Sequence, residues 1–238
     1  LVTAAVLAAV PLALILKQPD LSTSIVIVFF ILCLIYMAGI SYKWIAGALA
    51  VAVPSLALVV WLAKHNMMPF LEPYQINRIL AFTNPGKYAE LNLQQDNSKM
   101  AIGSGRLYGK GLFNDTAISV KNGNFLSEEH TDFIFSVIGE ELGFIGCMIV
   151  LLLFLLFVFE CLGMASRARD MAGRLFCTGM AALVGFQAFT NIAVATGVFP
   201  NTGLPLPFIS YGVSSLASLY IGIGILLNVG LQQRKLEF

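Results

Sequence analysis

Long apolar runs are the feature that most constrains what this chain can fold into. Six stretches come close to the length of about 20 residues that a helix needs to cross a bilayer. They cover residues 1–16, 21–40, 44–63, 132–160, 174–198 and 207–231. Apolar residues fill 58% of the 238 positions and charged residues 11%, more apolar surface than one water-soluble core can bury. The sequence therefore predicts an all-α protein, a polytopic helical bundle in contact with membrane lipids.

One long polar segment, residues 65–130, separates the first three apolar runs from the last three. We therefore expect three parts: transmembrane helices in 1–64, a long external loop in 65–130, and further transmembrane helices with a cytoplasmic tail in 131–238. Within the loop, the spacing of apolar residues favours short helices at 74–82 and 88–102.

The short loops between apolar runs predict the orientation of the chain. Basic residues follow the second run at Lys43, the fourth run within 166–174 and the sixth run within 232–235. Lys and Arg in short loops stay on the cytoplasmic side, whereas long loops translocate largely regardless of charge. Both ends of the chain are then cytoplasmic, and 65–130 is external.

Charge and cysteine patterns exclude several other classes of protein. The net charge of +1 gives no electrostatic basis for a nucleic-acid partner. No CxxC pair occurs, so a disulfide framework or a zinc site is not expected, and the cysteines are interpreted as small core hydrophobes. The chain starts at Leu1 inside an apolar run without a basic n-region, which indicates an internal start rather than a signal peptide.

Asp132 is the last carboxylate before the fourth apolar run. An aspartate there commonly caps a helix, because its side chain accepts hydrogen bonds from the unpaired amides of the first turn. At a membrane interface the same carboxylate can act as a general base or hold a divalent cation, Mg²⁺ or Mn²⁺. Both roles stay open, and the nearby His130 shows no paired metal-ligand spacing.

Glu140 and Glu141 fall within the same predicted helix, about 12 Å from Asp132 along its axis. Carboxylates at that depth are costly unless they face water or a partner. Alternatively, the span begins at Leu142, and the apolar residues up to Phe159 are just enough to cross the bilayer. The sequence favours neither interpretation.

A glycine-rich segment, Gly103 to Gly111, precedes these carboxylates. Its spacing matches neither GxGxxG nor GxxxxGK[ST], and no strand–helix unit surrounds it, which excludes a dinucleotide site or P-loop. Lys99, Arg106 and Lys110 could hold phosphate oxygens. A mobile solvated loop is the simpler interpretation.

Two prolines and two glycines occupy residues 203–212, at the start of the last apolar run. Irregular backbone at membrane depth is tolerated only where protein or a wet cavity satisfies it, so this segment is predicted to line a cavity. Beyond it, Ser214, Ser218 and Gly222 recur every four residues, a spacing that lets transmembrane helices pack closely.

Four motifs occur together, in a fixed order, and they carry a resemblance. They are Gln18-Pro19-Asp20-Leu21, Ala101 to Gly105 with Gly109-Lys110-Gly111, His130 to Phe135 with Gly139 to Gly143, and Gly203 to Ser215. In this combination the chain resembles the SEDS family (shape, elongation, division and sporulation), whose members polymerise lipid II into glycan strands. The resemblance runs from Lys17 to Lys235. Arg106 and Val213 stand where the family usually has glycine.

The resemblance also implies a site. Asp132 matches the essential carboxylate of an external cavity, and Asp20, otherwise read as a helix cap in an interfacial turn, is implicated in the same cavity. The further residues assigned to this substrate cavity are Arg106, Lys110, His130, Thr131, Glu140, Glu141, Ser210, Tyr211 and Ser214. Asp132 would serve as general base toward the sugar 4-hydroxyl of lipid II, or as the anchor of a divalent cation.

The resemblance implies inverting glycosyl transfer at the external face of the bacterial cytoplasmic membrane, with a class B penicillin-binding protein transpeptidase as partner. Two alternatives remain open: a lipid II flippase that uses Glu140, and a non-catalytic scaffold for the transpeptidase. The family has more spans than the six found here, so part of the cavity is expected to come from spans that precede this segment.

Overall fold

The computed structural model describes residues 14–15, 21–39, 41, 73–84, 86–112 and 130–232, together with scattered positions between 43 and 62. Its helices are α1 (Leu21–Met37), α2 (Pro73–Thr83), α3 (Ala89–Ser104), α4 (Ile134–Arg167), α5 (Met171–Ala195) and α6 (Val213–Leu231). The all-α class is confirmed for the described residues, where α2 and α3 match the helices predicted in the loop.

Three of these helices, α4, α5 and α6, are long and apolar enough to cross a membrane, and α1 is a shorter apolar helix. Their bounds shift from the predicted runs for local reasons. Asp170 caps α5 by accepting a hydrogen bond from the Gly173 amide at 3.1 Å, so α5 begins before residue 174. The prolines of 203–212 delay α6 to Val213. The first predicted span, 1–16, lies almost wholly outside the described residues.

The chain packs as two compact units, Leu1–Leu93 and Gln94–Phe238. In the first unit, the Asn92 side chain donates to the Ala81 carbonyl at 2.8 Å and so ties the start of α3 to α2. The second unit holds α4, α5 and α6 and all the candidate site residues except Asp20. The three-part division into 1–64, 65–130 and 131–238 stays a prediction.

The core of the second unit lies where α4, α5 and α6 meet. Cys161, Cys177 and Val184 are fully buried there, as expected of cysteines that act as small hydrophobes. Gly222 packs directly against the Met180 side chain. Ser214 and Ser218 are exposed, so only Gly222 of the predicted small-residue stripe makes a close helix contact among the described residues.

Polar side chains of α3 make hydrogen bonds to the end of α5. The Gln95 amide donates to the carbonyls of Val194 and Phe199 at 2.8 and 2.7 Å, and the Ser98 hydroxyl donates to that of Ala195 at 2.7 Å. The last carbonyls of a helix have no partner within it, and a buried one is costly unless paired. The buried face of α3 therefore supplies hydrogen-bond donors to the backbone carbonyls at the carboxyl end of α5.

Gly143 breaks α4 with φ 67° and ψ −164°, a conformation open essentially to glycine alone. Residues 106–111 satisfy the backbone groups that this break frees. The amides of Phe144 and Ile145 donate to Arg106 and Leu107, while the carbonyls of Glu140 and Glu141 accept from Lys110 and Gly111. We call this contact of residues 105–111 with 139–145 the glycine interlock.

The two backbones of the glycine interlock touch. A methyl group on Gly105 would overlap the carbonyl of Gly139, and one on Gly109 would overlap that of Glu141. Only glycine allows such an approach. The interpretation of 103–111 as a mobile solvated loop is therefore wrong, because this segment packs against α4.

An ion pair closes the glycine interlock. Lys110 Nζ lies 2.6 Å from Glu140 Oε1, and the Glu140 side chain is 2% exposed against 22% for that of Lys110. Glu140 is thus a buried carboxylate with a partner in the protein. For Glu140, this contradicts the alternative in which the span begins at Leu142 and the carboxylate lies near the surface. Glu141 is partly buried.

We expect Gly105→Ala to lower the stability of the protein by about 1–3 kcal/mol, because the interlocked backbones must move apart. Gly103→Ala is the matched control. Gly103 lies near the end of α3 with open space around its Cβ position, so alanine there is neutral or stabilising by about 0.5–1 kcal/mol. Thermal unfolding of detergent-solubilised protein measures both effects, and equal shifts would contradict the packed interlock.

The ion pair predicts an asymmetric response to substitution. Lys110→Met removes the cation that pairs with a buried carboxylate and should destabilise by about 3 kcal/mol. Glu140→Gln leaves a lysine that reaches water and should cost about 1 kcal/mol. The double variant should be more stable than Lys110→Met alone, since it also removes the buried negative charge. A thermal-unfolding double-mutant cycle checks this order, and additive losses would argue against the pair.

Candidate functional site

Asp132 lies in a turn just before α4, with its side chain partly buried. The N-cap position of α4 is held by Phe133, whose side chain makes no capping bond. Asp132 therefore lies one residue outside the cap position that the sequence suggested. Its Oδ2 lies 3.4 Å from the position that a Cβ on Gly203 would take. The carboxylate thus faces the backbone of the irregular segment 203–212.

Three consecutive carbonyls hold the turn in place. The carbonyl of His130 accepts from the Tyr211 amide at 2.9 Å, that of Thr131 from the Ser210 hydroxyl at 2.6 Å, and that of Asp132 from the Asn191 side-chain amide at 2.8 Å. We call these three hydrogen bonds the carbonyl clamp. They fix the backbone from which the Asp132 carboxylate projects.

The segment 203–212 is itself anchored to α5. The Asn191 side chain donates to the Leu204 carbonyl at 2.6 Å, and that of Gln187 to the Pro205 carbonyl at 3.1 Å. The Ser210 hydroxyl accepts from the Leu206 amide at 2.7 Å. The predicted irregular backbone is present, and polar groups of the protein satisfy it.

Phe208 shows how strongly this segment is constrained. It has φ 65°, a left-handed conformation that is rare for a bulky residue. Its ring packs edge-on against Phe157 at 5.5 Å between centroids and tilted against Tyr220 at 6.1 Å. Such strain persists where the surroundings fix it and is common at functional sites.

An open groove of about 430 Å³ runs beside the clamp. It is lined by both apolar and polar residues, namely His130, Ile134, Ile209, Ser210, Tyr211 and Leu216. Tyr211 is 72% exposed, so its phenol is accessible to solvent. The combination suits a molecule with a polar head and an apolar tail.

The structure sorts the sequence-predicted site residues into two groups. His130, Thr131, Asp132, Ser210 and Tyr211 meet in the clamp and its groove, although the Ser210 hydroxyl is used within the protein.

The second group belongs to the glycine interlock, which α4 connects to Asp132. Arg106, Lys110, Glu140 and Glu141 lie there, and Arg106 is exposed with a left-handed φ of 51° at a position where the resembled family usually has glycine. Ser214 is exposed in the first turn of α6. Asp20 lies outside the described residues.

A divalent cation finds little support from the described residues. No three His, Cys, Asp or Glu side chains cluster in the part of the chain that the structure describes. The backbone carbonyl oxygens of Thr131 and Asp132 already accept hydrogen bonds from the side chains of Ser210 and Asn191. These residues alone do not form a cation site of the kind that Mg²⁺ or Mn²⁺ prefers.

Sequence reasoning missed Asn191 and Gln187. Both lie in the apolar helix α5, one turn apart, where their side chains donate to segment 203–212. A signal was available, because polar amides at four-residue spacing inside a transmembrane run usually bond to another segment. The sequence does not say which segment.

Comparison with known proteins places these motifs in a family. The model of the family FTSW_RODA_SPOVE, described as "Cell cycle protein", matches residues 1–235. A probable peptidoglycan glycosyltransferase FtsW from Trichlorobacter lovleyi is 39% identical over 219 residues, 92% of this chain and 54% of that protein. The peptidoglycan glycosyltransferase MrdB of Escherichia coli K12 is 35% identical over 237 residues, 98% of this chain and 61% of that protein.

Solved structures agree with the sequence relatives. The crystal structure of RodA from Thermus thermophilus matches 97% of this chain and 56% of that one, with 30% identity and a TM-score of 0.61. A chain from a study titled "Structural coordination of polymerization and crosslinking by a peptidoglycan synthase complex" matches with 29% identity and a TM-score of 0.73, over 97% of this chain and 61% of that one.

This chain spans little more than half the length of the curated relatives that it matches. The resemblance drawn from the motifs is confirmed over nearly the whole segment. The chain is an integral membrane protein segment that belongs to the FtsW, RodA and SpoVE family of cell cycle proteins.

Proposed function

We propose that the protein containing this chain is a peptidoglycan glycosyltransferase that polymerises lipid II at the external face of the bacterial cytoplasmic membrane. The observation that carries this proposal is a carboxylate, Asp132, held by the carbonyl clamp at the end of a transmembrane bundle and next to a groove with apolar walls. The names of the relatives FtsW and MrdB support the reaction class.

In this proposal Asp132 is the general base. It takes the proton of the sugar 4-hydroxyl of one lipid II as that oxygen attacks the anomeric carbon of the growing strand. The new carbon–oxygen bond forms as the bond to undecaprenyl pyrophosphate breaks, with inversion at that carbon. A base must lie within hydrogen-bond reach of the proton that it takes, so a fixed carboxylate favours this step.

The groove suits the chemistry of such a substrate. Ile134, Ile209 and Leu216 offer apolar surface for an isoprenoid chain, and His130 and Tyr211 offer polar groups. A lipid-anchored sugar has the same division between tail and head. We therefore propose that the groove accommodates the lipid next to Asp132.

The ion pair in the glycine interlock weighs against the flippase alternative. A translocation pathway would need an available carboxylate at Glu140, but this group is buried against Lys110 at 2.6 Å. Its contacts serve the fold of α4. A transport role thus has less support from this segment than a polymerase role.

We further propose that a class B penicillin-binding protein is the partner, because a structural relative comes from a study of polymerization and crosslinking by one peptidoglycan synthase complex. The proposed topology has residues 65–130 outside the cell and both ends of this segment in the cytoplasm. Arg167 at the end of α4, Arg169 in the loop and Arg174 in the first turn of α5 favour this orientation.

We expect Asp132→Asn to reduce polymerisation by about 10²–10⁴-fold, the usual contribution of a general base, with lipid II binding retained. The assay uses the full-length protein with its transpeptidase, fluorescent lipid II, and separation of glycan strands on a gel. Asp96→Asn is the matched control, since Asp96 is 51% exposed and pairs with Lys99 on the surface.

Three results would contradict this proposal. Intact strands from Asp132→Asn would overturn the role of this carboxylate. Lipid II transport without strands, in the wild type, would favour the flippase. Neither activity in the wild type, with the transpeptidase still bound, would favour the scaffold.

The topology predicts the accessibility of two engineered cysteines in a protein whose natural cysteines have been replaced. Lys121→Cys should react with a membrane-impermeant maleimide added to intact spheroplasts, because the proposed topology has residues 65–130 outside the cell. Arg169→Cys should react only after the membrane is permeabilised. The reverse pattern would invert the proposed orientation.

A further inference from the structure

Asn191 occupies an unusual position for a polar residue in a membrane helix. It lies near the carboxyl end of α5, and its side chain is almost completely buried at 1% exposure. The side-chain nitrogen has two hydrogens, and each is used: one bonds to the Asp132 carbonyl at 2.8 Å and the other to the Leu204 carbonyl at 2.6 Å. One amide therefore joins α5, the Asp132 turn and segment 203–212.

The orientation of this amide follows from its neighbours. If nitrogen and oxygen were exchanged, the oxygen would face two carbonyl oxygens and both contacts would become repulsive. In the observed orientation, Asn191 Oδ1 is buried without a hydrogen-bond partner among the described residues. An unpaired buried acceptor is costly, so the fold tolerates a local loss of stability in order to keep both donors in place.

Ser210 makes a second link of the same kind. Its hydroxyl donates to the Thr131 carbonyl at 2.6 Å and accepts from the Leu206 amide at 2.7 Å. The carbonyls of two adjacent residues are thus held by side chains from two different parts of the chain. With both carbonyls held, rotation of the peptide groups on either side of Asp132 is restricted, which limits how the backbone can displace the carboxylate.

We infer that Asn191 and Ser210 are positioning residues, which set the place of the Asp132 carboxylate by holding the backbone on either side of it. The expected effect on catalysis rests on the proposed glycosyltransferase function. The placement of the Asp132 carboxylate by these two residues does not. The Asn191 amide and the Ser210 hydroxyl do not contact the reacting atoms, because both donate their hydrogens to backbone carbonyls of the protein. Their effect on catalysis passes through Asp132.

The chain offers a matched control in Gln187. It lies one turn before Asn191 on α5 and donates to the neighbouring carbonyl of Pro205 at 3.1 Å. Gln187 therefore anchors the same segment, 203–212, and makes no bond to the Asp132 turn. Asn191→Leu and Gln187→Met each replace an amide by an apolar side chain of similar size. Comparing them separates the anchoring of the segment from the placement of Asp132.

The first experiment measures steady-state polymerisation by the full-length protein with its transpeptidase. We expect Asn191→Leu to lower kcat by about 10–100-fold with KM little changed, because small displacements of a catalytic group are costly to rate. Ser210→Ala, a smaller change that the fold should tolerate, is expected to lower kcat by about 10-fold for the same reason. Gln187→Met should leave kcat close to that of the wild type.

The second experiment needs no activity. Asp132→Cys is introduced into a protein without its natural cysteines, and its rate of alkylation is measured. We expect the rate to rise several-fold when Asn191→Leu or Ser210→Ala is added, since the turn is released, and to stay unchanged with Gln187→Met. Thermal unfolding of each variant shows whether the protein remains folded.

Equal effects of Asn191→Leu and Gln187→Met on both kcat and the alkylation rate would overturn the inference. Anchoring of segment 203–212 to α5 would then explain both changes. An unchanged alkylation rate in both clamp variants would also overturn it. Changed alkylation rates in the clamp variants, together with a wild-type protein that forms no glycan strands, would support the clamp while refuting the proposed function, so the two failures are distinguishable.

Discussion

The rest of this structure depends on one requirement: a backbone polar group at membrane depth must find a hydrogen-bond partner within the protein. A continuous helix meets it alone, but within residues 130–232, which the structure describes, non-helical backbone interrupts the apolar runs at Gly143 and in residues 203–212. At each place another segment supplies the missing partners. The glycine interlock serves the first break, and the side chains of α5 serve the second.

These two breaks explain where the chemistry lies. A regular transmembrane helix has no spare backbone donors or acceptors, so it can position few polar groups. The irregular segment 203–212 instead brings the Tyr211 amide and the Ser210 hydroxyl to the turn that carries Asp132. Further along α4, the interlock pairs the buried carboxylate of Glu140 with Lys110. The hydrogen bonds that make the breaks possible also build the site.

Much of this architecture can be predicted from the sequence. Apolar length identifies α4, α5 and α6 and the class of the protein, because the bilayer fixes how many apolar residues a span needs. Proline and glycine mark the irregular segment, and the ordered motifs single out Asp132. Helix α3 was predicted as an element but its buried face was not, since that face includes Gln95, Asn97 and Ser98, and an apolar pattern cannot reveal polar burial.

By itself, then, the sequence determined the membrane-embedded all-α class, the family and the carboxylate on which we base the proposed function. Only the tertiary structure decided what that carboxylate and its neighbours touch. Asn191 and Asp132 are 59 positions apart, and Ser210 and Thr131 are 79 apart. Local propensity and periodicity report which face of a helix is buried but not which distant segment meets it. The carbonyl clamp, the Lys110–Glu140 pair and the docking of the glycine-rich segment are contacts of that kind, and they form only when the helices pack.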